Sequence, residues 1–189
     1  MYVRNILKEL LDHGFNYEEW FHFKVEDSKP FVQDVLEEVL GEYTWFPEYD
    51  EIIDWMKDNK GKGLILCGKN GIGKTIFAKF VIPAFFLEYF KIIMKFYSVY
   101  DMNEKVDEIM TKKFIILDDV GNEEQKIEYG DRRWAFPEII DYVEQRNRLI
   151  IITSNFTPVA FEKKYGLRTR DRIKSCCRQI VFTGDSLRR

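Results

Sequence analysis

The hydrophobic pattern changes character near residue 60. Before it, apolar residues recur at helical spacing. Val3, Ile6, Leu7, Leu10 and Leu11 fall on one stripe and predict an amphipathic helix over 2–12. The segment FVQDVLEEVL predicts a helix over 31–40 that stops at Gly41. Ile52, Ile53, Trp55 and Met56 predict a third over 48–58. After residue 60 the pattern becomes short, continuous apolar runs. Leu64–Cys67, Phe114–Leu117 and Leu149–Thr153 predict strands buried on both faces, and 91–98 and 180–182 predict two more. Between them lie predicted helices over 74–90 (bent or restarted at Pro83), near 101–110, and over 134–146. Alternating strands and helices imply an α/β fold, with a parallel sheet covered by helices on both faces. Ligands in such sheets bind at the carboxyl ends of the strands, so the residues just after each run are the candidates for chemistry.

The first run is followed by Gly68-Lys69-Asn70-Gly71-Ile72-Gly73-Lys74-Thr75, which fits G-x-x-x-x-G-K-[ST]. Glycines let the backbone curl so that N–H groups point at phosphate oxygens, and the next helix adds its positive end. Lys74 is placed to reach β- and γ-phosphates, and Thr75 to offer a hydroxyl to Mg²⁺. The second run ends in Asp118-Asp119. Asp118 is the candidate Mg²⁺ holder and Asp119 the candidate general base, with Glu123 as the alternative base. The third run ends in Thr153-Ser154-Asn155, where Asn155 could orient a water or meet the γ-phosphate. A basic stretch follows, with Arg168, Arg170, Arg172 and Lys174 inside nine positions. An arginine supplied to a neighbouring copy's γ-phosphate would stabilise charge as the bond breaks, and Arg172 is the candidate.

Composition narrows the picture further. The chain has 189 residues, 46% hydrophobic and 32% charged, which excludes extensive disorder and fits one domain. No run of 18 apolar residues occurs, and the start carries early charges without a small-residue cleavage site. A cytoplasmic location with no membrane partner is therefore expected. Cys67, Cys176 and Cys177 are expected to be reduced thiols, the adjacent pair pointing in opposite directions on a strand. His13 and His22 have no metal-ligand neighbourhood. The net charge of −3 conceals −9 over 1–51, 0 over 52–125 and +6 over 126–189. A basic last third could face phosphate or nucleic acid. Trp45, Phe46 and Tyr49 precede the first strand, and Phe46 is a candidate wall of an adenine pocket, with core packing as the alternative. The absence of NKxD argues against a GTPase. The second carboxylate and the polar end of 149–155 argue against a small-molecule kinase.

Taken in order, GKNGIGKT, ILDDVGNE, Tyr129-Gly130, IIITSN, DRI and the closing GDSLRR resemble the DnaC/IstB-type AAA+ ATPases, the bacterial and phage helicase loaders and transposition helpers. The resemblance covers residues 45–189 and leaves 1–44 as a short, acidic helical segment. It implies a P-loop NTPase fold without a C-terminal lid. It places Walker A on 68–75, Walker B on 114–119, the sensor 1 polar residue on Asn155 and the trans-acting arginine finger on Arg172. The closing motif falls on Gly184, Ser186 and Arg188. ATP and Mg²⁺ are the implied cofactors. The implied activity is slow, partner-regulated ATP hydrolysis in DNA replication, with a replicative helicase as partner and self-association through Arg172. A transposition helper or other ATP-dependent DNA-binding regulator is the alternative role. DNA would be a further partner, but about fifteen residues separate Ser98 from Phe114, so the extra helix with which such loaders grip single strands looks absent.

Overall fold

A computed structural model describes residues 20–68, 71, 73–123, 126–128 and 131–183. The expected helix over 2–12, loop residues Lys69, Asn70 and Ile72, the Tyr129-Gly130 pair and the closing Gly184, Ser186 and Arg188 lie outside these residues.

Five strands form one parallel sheet: β1 (Gly63–Gly68), β2 (Lys95–Ser98), β3 (Phe114–Val120), β6 (Leu149–Ser154) and β7 (Cys177–Phe182), in the order β2-β3-β6-β1-β7. The register pairs Leu64 with Ile151, Ile116 with Ile151, and Gly63 with Cys177. The central strands are apolar on both faces because helices cover both. A small antiparallel hairpin, β4 (Lys126–Glu128) with β5 (Asp131–Arg133), stands apart. Its residues form no apolar run, so periodicity did not predict it.

One face carries α1 (Lys29–Leu40), α2 (Pro47–Lys57) and the long helix α3. The last is built of Lys74–Ile76, a π-helical stretch Phe77–Val81 and Ile82–Phe90. Pro83 lies in the first turn of the α-helical part that resumes at Ile82, so the expected restart is present within a continuous helix. Its ring lacks a donor and would crowd the carbonyl one turn back. The widened turn before it supplies the room. Phe23, Trp55, Phe85 and Phe86 interlock here in edge-to-face and tilted ring contacts. Each such buried side chain stabilises the fold by roughly 1.5–3 kcal/mol. The segment entering at Trp20 is tied down by Asn59, which accepts from the Phe23 N–H at 2.9 Å and donates to the Phe21 carbonyl at 2.8 Å.

The other face carries α4 (Val99–Glu104), α5 (Val106–Met110), α6 (Ala135–Gln145), α7 (Pro158–Tyr165) and α8 (Leu167–Cys176), packed through Phe136, Ile140, Phe161 and Ile173. The single helix expected near 101–110 is two, parted at Lys105. Ser98 and Asp101 form a capping box that starts the first of them two residues early. The strand expected over 91–98 begins only at Lys95, because Lys91 closes α3 in a left-handed conformation and the next residues turn the chain. Cys176 and Cys177 do not share a strand: one ends α8 and the other opens β7, and both are buried thiols with sulfurs 3.8 Å apart. The contact with Cys176, and then burial, push the Cys177 thiol well above its ordinary range. No described helix is long and apolar enough to cross a membrane.

Candidate active site

β1 ends at Gly68, and α3 begins at Lys74, at the carboxyl end of the sheet. Lys74 is only 6% exposed, and its Nζ donates to the Gly68 carbonyl at 2.8 Å. Gly71 and Gly73 both have left-handed backbone, φ 88° and 89°. At Gly73 a β-carbon would meet the Tyr49 hydroxyl at 2.7 Å, so the loop crosses the ring with no room for a side chain. Tyr49 is itself fixed beneath the loop by Phe77, ring centroids 4.6 Å apart. Burial, with the Glu48 carboxylate beside it, pushes the Tyr49 phenol up to about 12, so it stays protonated. Burial likewise raises Cys67, one residue before the loop, to about 12 against the opposing charge of Lys74. That thiol is a packing residue and not a nucleophile.

β3 breaks its regular pairing with β6 between Leu117 and Val120, and Asp119 sits in the break with φ 64°. A left-handed aspartate at a bulge is a sparsely populated state that surrounding contacts must hold. Two hydrogen bonds hold Asp119 itself, and two more hold its neighbour Asp118. The Thr153 hydroxyl accepts the Asp119 N–H at 2.8 Å and donates to Asp118 Oδ1 at 2.6 Å. Asn155 Nδ2 donates to Asp119 Oδ1 at 2.8 Å. From the opposite side the Thr75 hydroxyl donates to Asp118 Oδ1 at 3.2 Å. Lys74, Thr75, Asp118, Asp119 and Asn155, far apart in the chain, thus meet along one cleft of about 1120 Å³. Two hard oxygens on adjacent elements, Thr75 Oγ1 and Asp118 Oδ1, fit the donor set Mg²⁺ prefers.

Other candidates lie elsewhere. Glu123 is 5% exposed. It accepts from the Gly121 N–H at 2.8 Å and from the Tyr165 hydroxyl, with Lys164 Nζ at 3.7 Å. Lys164 also donates to the carbonyls of Gly121 (2.6 Å) and Glu123 (3.0 Å). Burial and the Glu123 carboxylate push the Tyr165 phenol far above its ordinary value. This cluster binds the loop after β3 to α7, and Glu123 is not on the cleft wall. Phe46 stacks edge-on to Tyr49 and does not line the cleft either. The wall there is Leu40, Glu42, Tyr43 and Thr44, where the chain turns from α1 toward α2. Arg172 pairs with Asp141 (3.4 Å) and Glu144 of α6, outside this cleft. Arg168 pairs with the same Asp141 at 2.5 Å.

Thr153 and Tyr43 escaped notice as site residues. The signal for the first was a threonine ending an apolar strand; that it bridges both aspartates depends on the bulge, which has no sequence signature.

The sequence model of the family described as novel STAND NTPase 3 matches residues 43–178. The chain belongs to this family. In fold, this STAND NTPase resembles a DnaC helicase loader at TM-score 0.55 and 19% identity, over 85% of this chain and 93% of that one. It also resembles DnaI at 0.53 and 24%, over 84% and 87%. A protein from Streptococcus pyogenes serotype M3 described as a primosome component matches at 0.54 and 20%, over 86% and 85%. No curated protein matches the chain. The STAND NTPase thus carries the P-loop α/β fold of the DnaC-type AAA+ proteins.

Proposed function

We propose that this STAND NTPase hydrolyses ATP and uses the change of bound state to act on a replicative helicase. The observation carrying the first half is the convergence of Lys74, Thr75, Asp118, Asp119 and Asn155 on one cleft. Lys74 would exchange the Gly68 carbonyl for the β- and γ-phosphate oxygens, and the loop over 68–75, with Lys69, Asn70 and Ile72, would supply backbone donors. Thr75 and Asp118 would hold Mg²⁺, whose chemistry is to offset phosphate charge. Asp119, steadied by Asn155, would take a proton as a water oxygen attacks the γ-phosphorus and the bond to the bridging oxygen breaks. ADP and phosphate leave. Glu123 is set aside as the base because its carboxylate is already held by Tyr165, Gly121 and Lys164. Adenine would lie toward Leu40, Tyr43 and Thr44, with Phe46 supporting Tyr49 from behind.

Arg172 would complete the site of an adjoining copy after parting from Asp141 and Glu144. Loss of the γ-phosphate would then weaken the contact between copies, and that difference in affinity would move the partner. The helicase half rests on the fold likeness to a DnaC helicase loader. The two short helices between Ser98 and Phe114 are the whole of that interval, so DNA contact there would be limited to what α4 and α5 offer.

The test has two stages. Purified protein should release phosphate from ATP, Lys74→Ala should lose nucleotide binding, and Asp119→Asn should bind ATP without turning it over. The ATP-locked Asp119→Asn protein is then used as bait. Recovery of a replicative helicase supports the loader role. Recovery of a transposase, or of DNA without a helicase, transfers the same ATPase to the alternative role. Wild type that binds no nucleotide ends both.

A further inference from the structure

We infer that Thr153 is the positioning residue that sets the two site aspartates relative to each other; this rests on the ATPase reading of the cleft. The side chain is 2% exposed, at the end of β6. A threonine hydroxyl has one proton and two lone pairs. Here the proton goes to Asp118 Oδ1 at 2.6 Å, and a lone pair takes the Asp119 N–H at 2.8 Å. One oxygen atom therefore bridges the carboxylate that would face the metal and the backbone of the residue that would face the water.

The bulge makes this bridge necessary. Where β3 and β6 lose register, Asp119 turns left-handed and its N–H leaves the regular ladder. A half-buried donor that leaves the ladder is costly unless it finds a partner, and at this point a side chain supplies the acceptor. Thr153 is that acceptor, and its one proton goes to Asp118. The flanking residues divide the remaining tasks. Ser154 Oγ donates to the Val120 carbonyl at 2.5 Å and closes the far side of the bulge. Asn155 holds the Asp119 carboxylate. Asp118 Oδ1 also receives the Thr75 hydroxyl at 3.2 Å. If Thr75 turns to a metal, Thr153 remains as the donor that keeps the carboxylate from rotating. Outer partners of this kind usually matter by about 10- to 100-fold in metal affinity or activity.

Thr153→Val removes the hydroxyl at nearly constant volume, and Thr153→Ser keeps it. The valine variant is expected to lose about 10- to 100-fold in kcat, with KM for ATP changed far less. The Mg²⁺ concentration needed for half-maximal tightening of ATP binding should rise several-fold, while ATP affinity in EDTA stays at the wild-type value. Serine should restore both. A valine variant with wild-type kcat and Mg²⁺ titration overturns the inference, and so does a serine variant as impaired as the valine, which would point to methyl packing. If the valine variant does not fold, Thr153→Cys, a weaker donor of similar size, is read by the same titrations, and wild-type values there overturn the inference. Wild type without ATP binding defeats the ATPase reading and this inference together; a normal wild type beside an unaffected valine variant defeats this inference alone.

Discussion

Substituting Gly73 by alanine tests how the candidate phosphate loop is held over Tyr49. Two separable costs arise. The first is backbone: φ is 89°, and a β-carbon in left-handed conformation costs about 1–2 kcal/mol. The second is overlap: the β-carbon would stand 2.7 Å from the Tyr49 hydroxyl, but 3.6 and 3.8 Å from the nearest ring carbons, which is ordinary contact. The hydroxyl alone therefore makes the overlap, for about 1–3 kcal/mol. The loop escapes by lifting off the ring, and nucleotide binding must press it back. At 1.4 kcal/mol per tenfold, Gly73→Ala should weaken ATP binding by at least about tenfold. Tyr49→Phe alone should bind nearly as wild type. Tyr49→Phe in the Gly73→Ala background should recover about tenfold, leaving only the backbone cost. Titration calorimetry on the four proteins closes the cycle, with thermal melts confirming that each is folded. A double variant no tighter than Gly73→Ala alone would refute the claim that the hydroxyl props the loop.

Two further predictions concern stability. Phe86 is fully buried against Phe21, Phe23, Trp55, Phe85 and Phe90, so Phe86→Ala should cost about 3–5 kcal/mol in urea unfolding. In acid, Asp101 is held down to about 2 by Lys105 and then Ser98, and Asp58 to about 2 by His22 and then the Lys60 N–H. Both native values lie below the unfolded one of about 3.9, so their contribution is present above that pH and is lost as pH falls through about 2. The urea midpoint should drop over that window, and Asp101→Asn should flatten the drop.

The layering was legible because it follows from apolar runs alone. Ile115–Leu117 and Ile150–Ile152 are too continuous for a half-exposed strand and too short for a core helix. The loop over 68–75 was legible as a candidate phosphate site because lysine, threonine and glycine at that spacing have one common use. What stayed hidden depends on contacts between distant segments. Asp119 reads as one of two acids at a strand end; that it is left-handed follows from the slip against β6. Glu123 reads as the alternative base, and its contacts with Lys164 and Tyr165, some forty residues on, show that its carboxylate is occupied. Arg172 stands out by its DRI context, but its partners Asp141 and Glu144 belong to a helix that the sequence marks only by its apolar stripe.

The position of β1 governs the order in which the protein can assemble. Its hydrogen-bonding neighbours are β6, which pairs Ile151 with Leu64, and β7, which pairs Cys177 with Gly63. Both emerge from the ribosome long after residues 68–75 have been synthesised, and pairing over such separations is slow to close. Until residues 177–182 arrive, one edge of β1 is an open row of N–H and C=O groups, exposed to other nascent chains. The loop over 68–75 is thus made early, while β1, the strand it follows, is among the last to gain both its neighbours. A chain cut short before Cys177 would keep every residue from Gly68 to Thr75 and lose the strand that pairs with β1 from Gly63 to Gly68.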